Sequence, residues 1–119
     1  MKFHGESLLR DVIKMIADEM KIAREALANG KIGRSRTAAR RAIGMAMQQT
    51  LGIGPQGGYA KTFIDGLKRL ADDPQMPEPI RAAALRLITR VDREYNSPAI
   101  NPVADAEIII AHFLPNQKF

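Results

Sequence analysis

The sequence contains no cysteine and no tryptophan among its 119 residues. The lack of cysteine excludes disulfides, thiolate metal ligands and cysteine nucleophiles. Aromatic residues make up only 5% of the chain, as four Phe and two Tyr, so Leu, Ile, Val, Met and Ala must build the core. This composition favours closely packed helices over a β-sandwich, because strands are enriched in aromatic and β-branched residues.

Long apolar runs are also missing. Ile108–Ala111 is typical of the longest ones, whereas a helix that crosses a bilayer needs about 20 predominantly apolar residues. No signal-peptide core precedes the first charged residues, Lys2 and Glu6. We therefore expect a cytoplasmic protein that has no membrane partner.

What the chain does contain is the apolar periodicity of helices. Hydrophobic residues amount to 45% of the sequence and recur at spacings of three and four, as on one face of an amphipathic helix. The pattern predicts helices over residues 6–28, 36–51, 59–71, 78–94 and 102–114. We predict an all-α fold, a single-domain antiparallel helical bundle over residues 1–119 with a four-helix core and a short C-terminal helix.

Local signals mark where these helices begin and end. Gly30 predicts a left-handed stop for the first helix, and Ser35 is a candidate N-cap for the second. The segment Gly52–Gly58, rich in glycine and with one proline, predicts a turn. Asn101 followed by Pro102 is a well-matched start for the last helix.

The charge distribution is one-sided. Between Glu25 and Asp65 there is no acidic residue, and the net charge of the whole chain is +5. Unpaired like charges repel one another and raise the cost of folding, so a local excess of them favours a polyanionic or acidic partner. The basic residues in this interval are Lys31, Arg34, Arg36, Arg40, Arg41 and Lys61.

The arginines of the second helix are the first candidate contacts for phosphate or for an acidic partner, because guanidinium groups bind phosphate oxygens in a bidentate manner. On a helical wheel Arg36 and Arg40 lie at the edge of the apolar arc, whereas Arg41, and Arg34 if the helix starts before it, lie well away from it. The alternative is structural. These side chains are solvated, lie along the arc with their stems covered, or pair with acids of the first helix: Asp11, Asp18, Glu19 and Glu25.

A second basic group lies on the fourth predicted helix. Arg86, Arg90 and Arg93 follow one another at i, i+4 and i+7, which places them on one face. They are candidate contacts of the same kind. The alternative is a solvated surface compensated by Asp92 and Glu94.

No pattern in the sequence predicts a cofactor or a metal site. Gly52–Gly58 lacks the Lys-Ser/Thr pair of a phosphate-binding loop and follows a predicted helix instead of a strand. His112 lies between apolar neighbours without partners at ligand spacing. We therefore expect no cofactor, no metal and no catalytic residue.

The helix order resembles the HEPN (higher eukaryotes and prokaryotes nucleotide-binding) superfamily of small helical bundles. The segments that carry the resemblance are Ala38–Ala46, Gly52–Gly58, Met76–Arg81 and Ala104–Phe113. It implies a binding or assembly module that forms a homodimer and contacts RNA, a nucleotide or a partner protein. The partner proteins it implies are a nucleotidyltransferase or an antitoxin.

One departure from the family pattern concerns catalysis. Ribonuclease members carry an Arg followed four to six residues later by a His, whereas no His follows Arg90 or Arg93 at that spacing. The resemblance therefore implies a non-catalytic member. Two alternatives stay open: a metal-independent ribonuclease with an altered site that uses Arg90, Arg93 or His112, and a helical scaffold with no nucleic-acid role.

Overall fold

The predicted all-α helical bundle is confirmed. The computed structural model of the chain describes residues 4–55, 57–89 and 101–119, with side chains from Leu9 onwards. Within these ranges the only β-type pairing is one isolated bridge between Ile53 and Ala60. None of the helices there has both the length and the apolar composition needed to cross a membrane. The helices are α1 (His4–Ala28), α2 (Ile32–Thr50), α3 (Phe63–Asp72), α4 (Glu78–Ile88) and α5 (Pro102–Phe113).

A tight turn joins α1 to α2. Gly30 has a φ of 74°, in the left-handed region that glycine adopts without a steric penalty. The N–H of Gly30 donates to the carbonyl of Leu27 (3.1 Å), and the N–H of Lys31 donates to that of Ala26 (2.8 Å). This pair of hydrogen bonds is a Schellman motif, and it confirms the predicted stop of α1.

The start predicted for α2 is wrong. The helix begins at Ile32, one turn before residue 36, and Ser35 is not its N-cap but lies fully buried within it. The Ser35 hydroxyl donates to the carbonyl of Ala23 at 2.8 Å. A small side chain that satisfies its own hydrogen bond lets α1 and α2 approach closely, and the earlier start places Arg34 on the helix.

α2 is the central helix of the bundle. It packs against α1, α3 and α5, whereas α4 packs mainly against α3 and α5. Small residues of α2 allow this crowding, since Ala39, Ala42 and Ala46 are fully buried. Two large side chains of α2, Ile43 and Met47, are also fully buried. The large fully buried Ile, Leu and Met side chains on the other helices are Ile16, Met20, Leu67, Leu70, Leu87, Ile109 and Ile110.

The ends of α3 and α4 differ from the prediction. α3 begins at Phe63 instead of residue 59, because the Thr62 side chain caps it by accepting a hydrogen bond from the N–H of Asp65. α4 ends at Ile88 instead of near residue 94, and Thr89 is already extended with a ψ of 134°. The predicted break at residues 95–98 lies outside the described residues.

The predicted start of α5 is confirmed. Pro102 is its first residue, and the side chain of Asn101 accepts a hydrogen bond from the N–H of Ala104 at 3.0 Å. Proline fits this position because its missing N–H would have no partner inside the helix. The helix ends at Phe113, one residue before the predicted end.

The contact between α2 and α3 depends on a glycine. A Cβ placed on Gly44 would lie 2.2 Å from Cγ of Phe63, far closer than carbon atoms can approach. The Phe63 ring therefore lies directly on the backbone of α2. Gly33, near the start of the same helix, faces open space.

We predict that Gly44→Ala lowers the free energy of unfolding by about 1–2 kcal/mol, because the cost of overpacking exceeds the gain in helix propensity. Gly33→Ala is the matched control and should raise it by up to about 1 kcal/mol, since helical Ala is preferred and nothing obstructs the new methyl group. Urea denaturation followed by circular dichroism measures both. Equal shifts of the two variants would contradict the close approach of Phe63.

Candidate functional site

The arginines of α2 divide into two pairs. Arg34 and Arg41 are exposed, whereas Arg36 and Arg40 are half-buried. This division confirms the helical wheel, on which only Arg36 and Arg40 touch the edge of the apolar arc. The two pairs therefore differ in what their guanidinium groups contact.

Arg36 and Arg40 bind the C-terminal end of α4. Nη2 of Arg36 donates to the carbonyl of Leu87 at 2.8 Å and also to that of Thr89. Arg40 donates from Nε to the carbonyl of Leu87 at 2.8 Å, with a further contact from Nη2. The last carbonyls of a helix lack partners within it and carry the negative end of its dipole, so the two guanidinium groups cap α4.

Long side chains suit this contact because α2 and α4 are not among the helix pairs whose backbones pack closely. Burial lowers the pKa of Arg36, and burial together with the neighbouring charge of Arg36 lowers the pKa of Arg40. Both groups stay cationic near neutral pH. Neither forms an ion pair with a carboxylate of the described residues, so their contacts there are with carbonyl oxygens instead of the acids of α1.

Arg86 of the second basic group joins α4 to α5. Its Nη2 and Nε lie 2.8 Å and 3.0 Å from Oδ1 of Asp105, whose side chain is only 7% exposed. The other oxygen, Oδ2, is buried and accepts no hydrogen bond from the described residues. Arg86 therefore balances a buried charge. Arg90 and Arg93 lie outside the described residues.

Arg34 lies beside a small cavity of about 190 Å³ between the end of α1 and the start of α2. The cavity is also lined by Lys31 and by one carboxylate, that of Glu25. Arg34 and Glu25 do not approach within ion-pair distance. The remaining lining residues are Ile22, Ala26 and Asn29.

Arg41 borders an open groove of about 250 Å³ between α2 and α3. We call this the α2–α3 groove, and no carboxylate lines it. Its five lining residues are Thr37, Arg40, Arg41, Phe63 and Ile64. Reasoning from the sequence missed this site, because the apolar periodicity of residues 59–71 puts Phe63 and Ile64 on the same side as Leu67 and Leu70 and so predicts that both face the core.

Ile64 corrects that expectation, since its side chain is 38% exposed. The buried face of α3 is formed by Gly66, Leu67 and Leu70. At 100° per residue Ile64 lies about 60° beyond Leu67 and so outside this face. This angle depends only on the spacing of the two residues and not on where α3 begins.

A cluster around Tyr59 fixes the chain after the turn at Gly52–Gly58. The Tyr59 hydroxyl donates to Oδ2 of Asp73 at 3.1 Å, and the guanidinium of Arg69 lies 4.2 Å from the centre of the ring. Burial, followed by the hydrogen bond and charge of Asp73, raises the pKa of Tyr59 to about 12. The hydroxyl therefore stays a neutral donor near pH 7. The turn itself is confirmed by the N–H of Gly57, which donates to the carbonyl of Gly54 (2.9 Å), and by that of Tyr59, which donates to the carbonyl of Gly52 (3.1 Å).

His112 is exposed on α5. Its ring makes a T-shaped contact with that of Phe113, with 5.0 Å between centroids. In the described ranges no three His, Asp or Glu side chains are grouped so that they could hold a metal ion. A ribonuclease role for His112 stays a prediction.

We predict that Arg40→Met lowers the free energy of unfolding by about 1–2 kcal/mol, because the carbonyls at the end of α4 lose a charged donor whose site is partly solvated. Arg41→Met, on the same helix, should change it by no more than about 0.5 kcal/mol, as is usual for surface sites. Chemical denaturation measures both values. A larger loss for Arg41→Met would contradict the division of the arginines.

Comparisons with known proteins identify no relative from which a role for these residues could be transferred. No protein-family model, no curated protein and no solved structure matches the chain. The HEPN resemblance therefore stays a prediction. What the site can do is inferred from the contacts of its own side chains.

Proposed function

We propose that the protein is a small HEPN-like binding module that contacts a negatively charged partner, RNA, a nucleotide or an acidic protein, through the exposed face of α2. The proposal rests on the different contacts that the arginines make. Arg36, Arg40 and Arg86 are engaged within the bundle. Arg34 and Arg41 are exposed and form no ion pair with the described residues.

The geometry of this face suits an extended anionic partner. Arg34 and Arg41 are seven residues apart on α2, which at 1.5 Å per residue corresponds to about 10.5 Å along the helix axis. Exposed Thr37 lies between them. Two cations on one helix face can thus contact two anionic groups of the same partner.

The wider assembly in this proposal follows the family resemblance. It includes a homodimer and, as the protein partner, a nucleotidyltransferase or an antitoxin. The support for a protein partner is that the exposed arginines can bind carboxylates on its surface.

We expect Arg34→Glu/Arg41→Glu to weaken binding of a mixed-sequence 20-nucleotide RNA or of polyglutamate at least tenfold in gel-shift or anisotropy titrations at low salt. Low salt is chosen because release of counterions then favours binding most. The matched control is Lys21→Glu/Arg24→Glu, which makes the same charge change at exposed positions of α1. We expect this control to lose less affinity, and its loss measures the effect of net charge alone.

Two results would contradict the proposal. One is that neither probe binds the folded protein at low salt. The other is that both double variants lose affinity equally, since binding would then follow net charge and not the face of α2.

A further inference from the structure

We propose that the α2–α3 groove binds an acidic amphipathic helix of a partner protein. This inference rests on the proposed function and names the partner of the same face. The groove lies where the cationic side chain of Arg41 meets exposed apolar surface on α3. Such a combination matches a helix that presents carboxylates beside an apolar side chain.

The apolar part of the groove is formed by Phe63 and Ile64. Leu67 and Leu70 already provide the core contacts of α3 and are fully buried, so the exposed side chain of Ile64 serves no packing role in the core. The Phe63 ring is held in place against Gly44. This surface is therefore formed before any partner binds, which reduces the entropy cost of binding.

The rim of the groove is cationic. Arg41 is exposed, and the hydrogen bonds of Arg40 to Leu87 use its Nε and Nη2 but not its Nη1. No carboxylate lines the groove, and the acidic residue nearest to it in sequence, Asp65 in the first turn of α3, is exposed and is not among its lining residues. Charge complementarity therefore selects an acidic occupant.

A helix fits the spacing of the cations. Carboxylates seven residues apart on a helix are also about 10.5 Å apart along its axis, the same rise that separates Arg34 from Arg41. Apolar residues three and four positions after the first carboxylate share its face of that helix. They also share the face of the second carboxylate, which pairs with Arg41 in the groove, so they meet Phe63 and Ile64 beside it. Arg34 lies outside the groove, at the cavity beside α1, and the first carboxylate reaches it there.

RNA is the less suitable occupant of this groove. Single-stranded RNA is bound through aromatic faces on which bases stack, but Ile64 is aliphatic and the Phe63 ring packs against Gly44. Contacts to phosphate groups, in turn, make no use of the apolar surface that Phe63 and Ile64 form. The structure therefore favours a protein helix, and RNA becomes one outcome of the test.

The test uses a fluorescein-labelled, helix-stabilised peptide of fourteen residues with Glu at positions 3 and 10 and Leu at positions 6 and 7. Its controls are a peptide of the same composition in scrambled order and one with Gln in place of both Glu. We expect saturable anisotropy with the matched peptide and at least tenfold weaker binding of both controls. An RNA 20-mer is titrated in parallel.

Variants of the protein assign the binding to the groove. Arg41→Glu and Ile64→Ser should each weaken binding of the matched peptide at least tenfold. Arg24→Glu and Leu85→Ser are matched controls, because Arg24 is exposed on α1 and Leu85 is 55% exposed on α4. They should leave the affinity within about twofold. Circular dichroism verifies that each variant is folded.

Several results would overturn this inference. If RNA binds through Arg34 and Arg41 while no peptide does, the groove proposal fails and the proposed function stands. If the scrambled peptide binds as well as the matched one, the groove does not recognise carboxylates and apolar side chains on one face of a helix. If Arg24→Glu or Leu85→Ser weakens binding as much as the groove variants, the site is elsewhere. If RNA, polyglutamate and the peptide all fail to bind, both proposals fail.

Discussion

The capture of the last carbonyls of α4 by Arg36 and Arg40 is the interaction on which the rest of this structure depends. The end of a helix presents carbonyl oxygens that need donors, and here both guanidinium groups reach the carbonyl of Leu87 from α2. The contact bridges two helices whose backbones do not pack closely. It also engages two of the four arginines of α2 within the bundle, with Nη1 of Arg40 taking no part in these hydrogen bonds.

α2 can perform this role because its faces have different side chains. Toward α1 it presents small residues such as Ser35 and Ala42, which permit close packing. Toward α3 it presents Gly44, on which the Phe63 ring lies. The solvent-exposed face carries Arg34 and Arg41. One helix thus organises the core, caps a neighbour and offers the surface that we assign to a partner.

The fold could be predicted from the sequence because apolar periodicity and stop signals are local properties. Gly30 and Asn101 act within a few residues, and both were predicted correctly. Ser35 was assigned wrongly, because its hydroxyl finds an acceptor twelve residues away on α1. A serine that precedes an apolar run predicts an N-cap, and the sequence does not show that the carbonyl of Ala23 accepts its hydrogen bond instead.

The candidate site was only partly predictable, because its contacts join residues that are far apart in the sequence. The helical wheel separated Arg36 and Arg40 from Arg34 and Arg41, but nothing in the sequence indicated that α4 ends at Ile88 beside them. The partner of Arg86, Asp105, follows it by 19 residues. Ile64 was placed in the core because it is apolar and precedes Leu67 by three residues, although it lies about 60° outside the face that Gly66, Leu67 and Leu70 bury.

Hydrogen exchange of the arginine Nε–H groups, followed by ¹H–¹⁵N NMR, tests the division of the α2 arginines most directly. Nε of Arg40 donates to the carbonyl of Leu87, whereas Arg41, one residue later, is exposed. A hydrogen-bonded donor exchanges only when its bond opens. We expect the Nε–H of Arg40 to exchange at least tenfold more slowly than that of Arg41. Equal exchange rates would contradict the division of the α2 arginines.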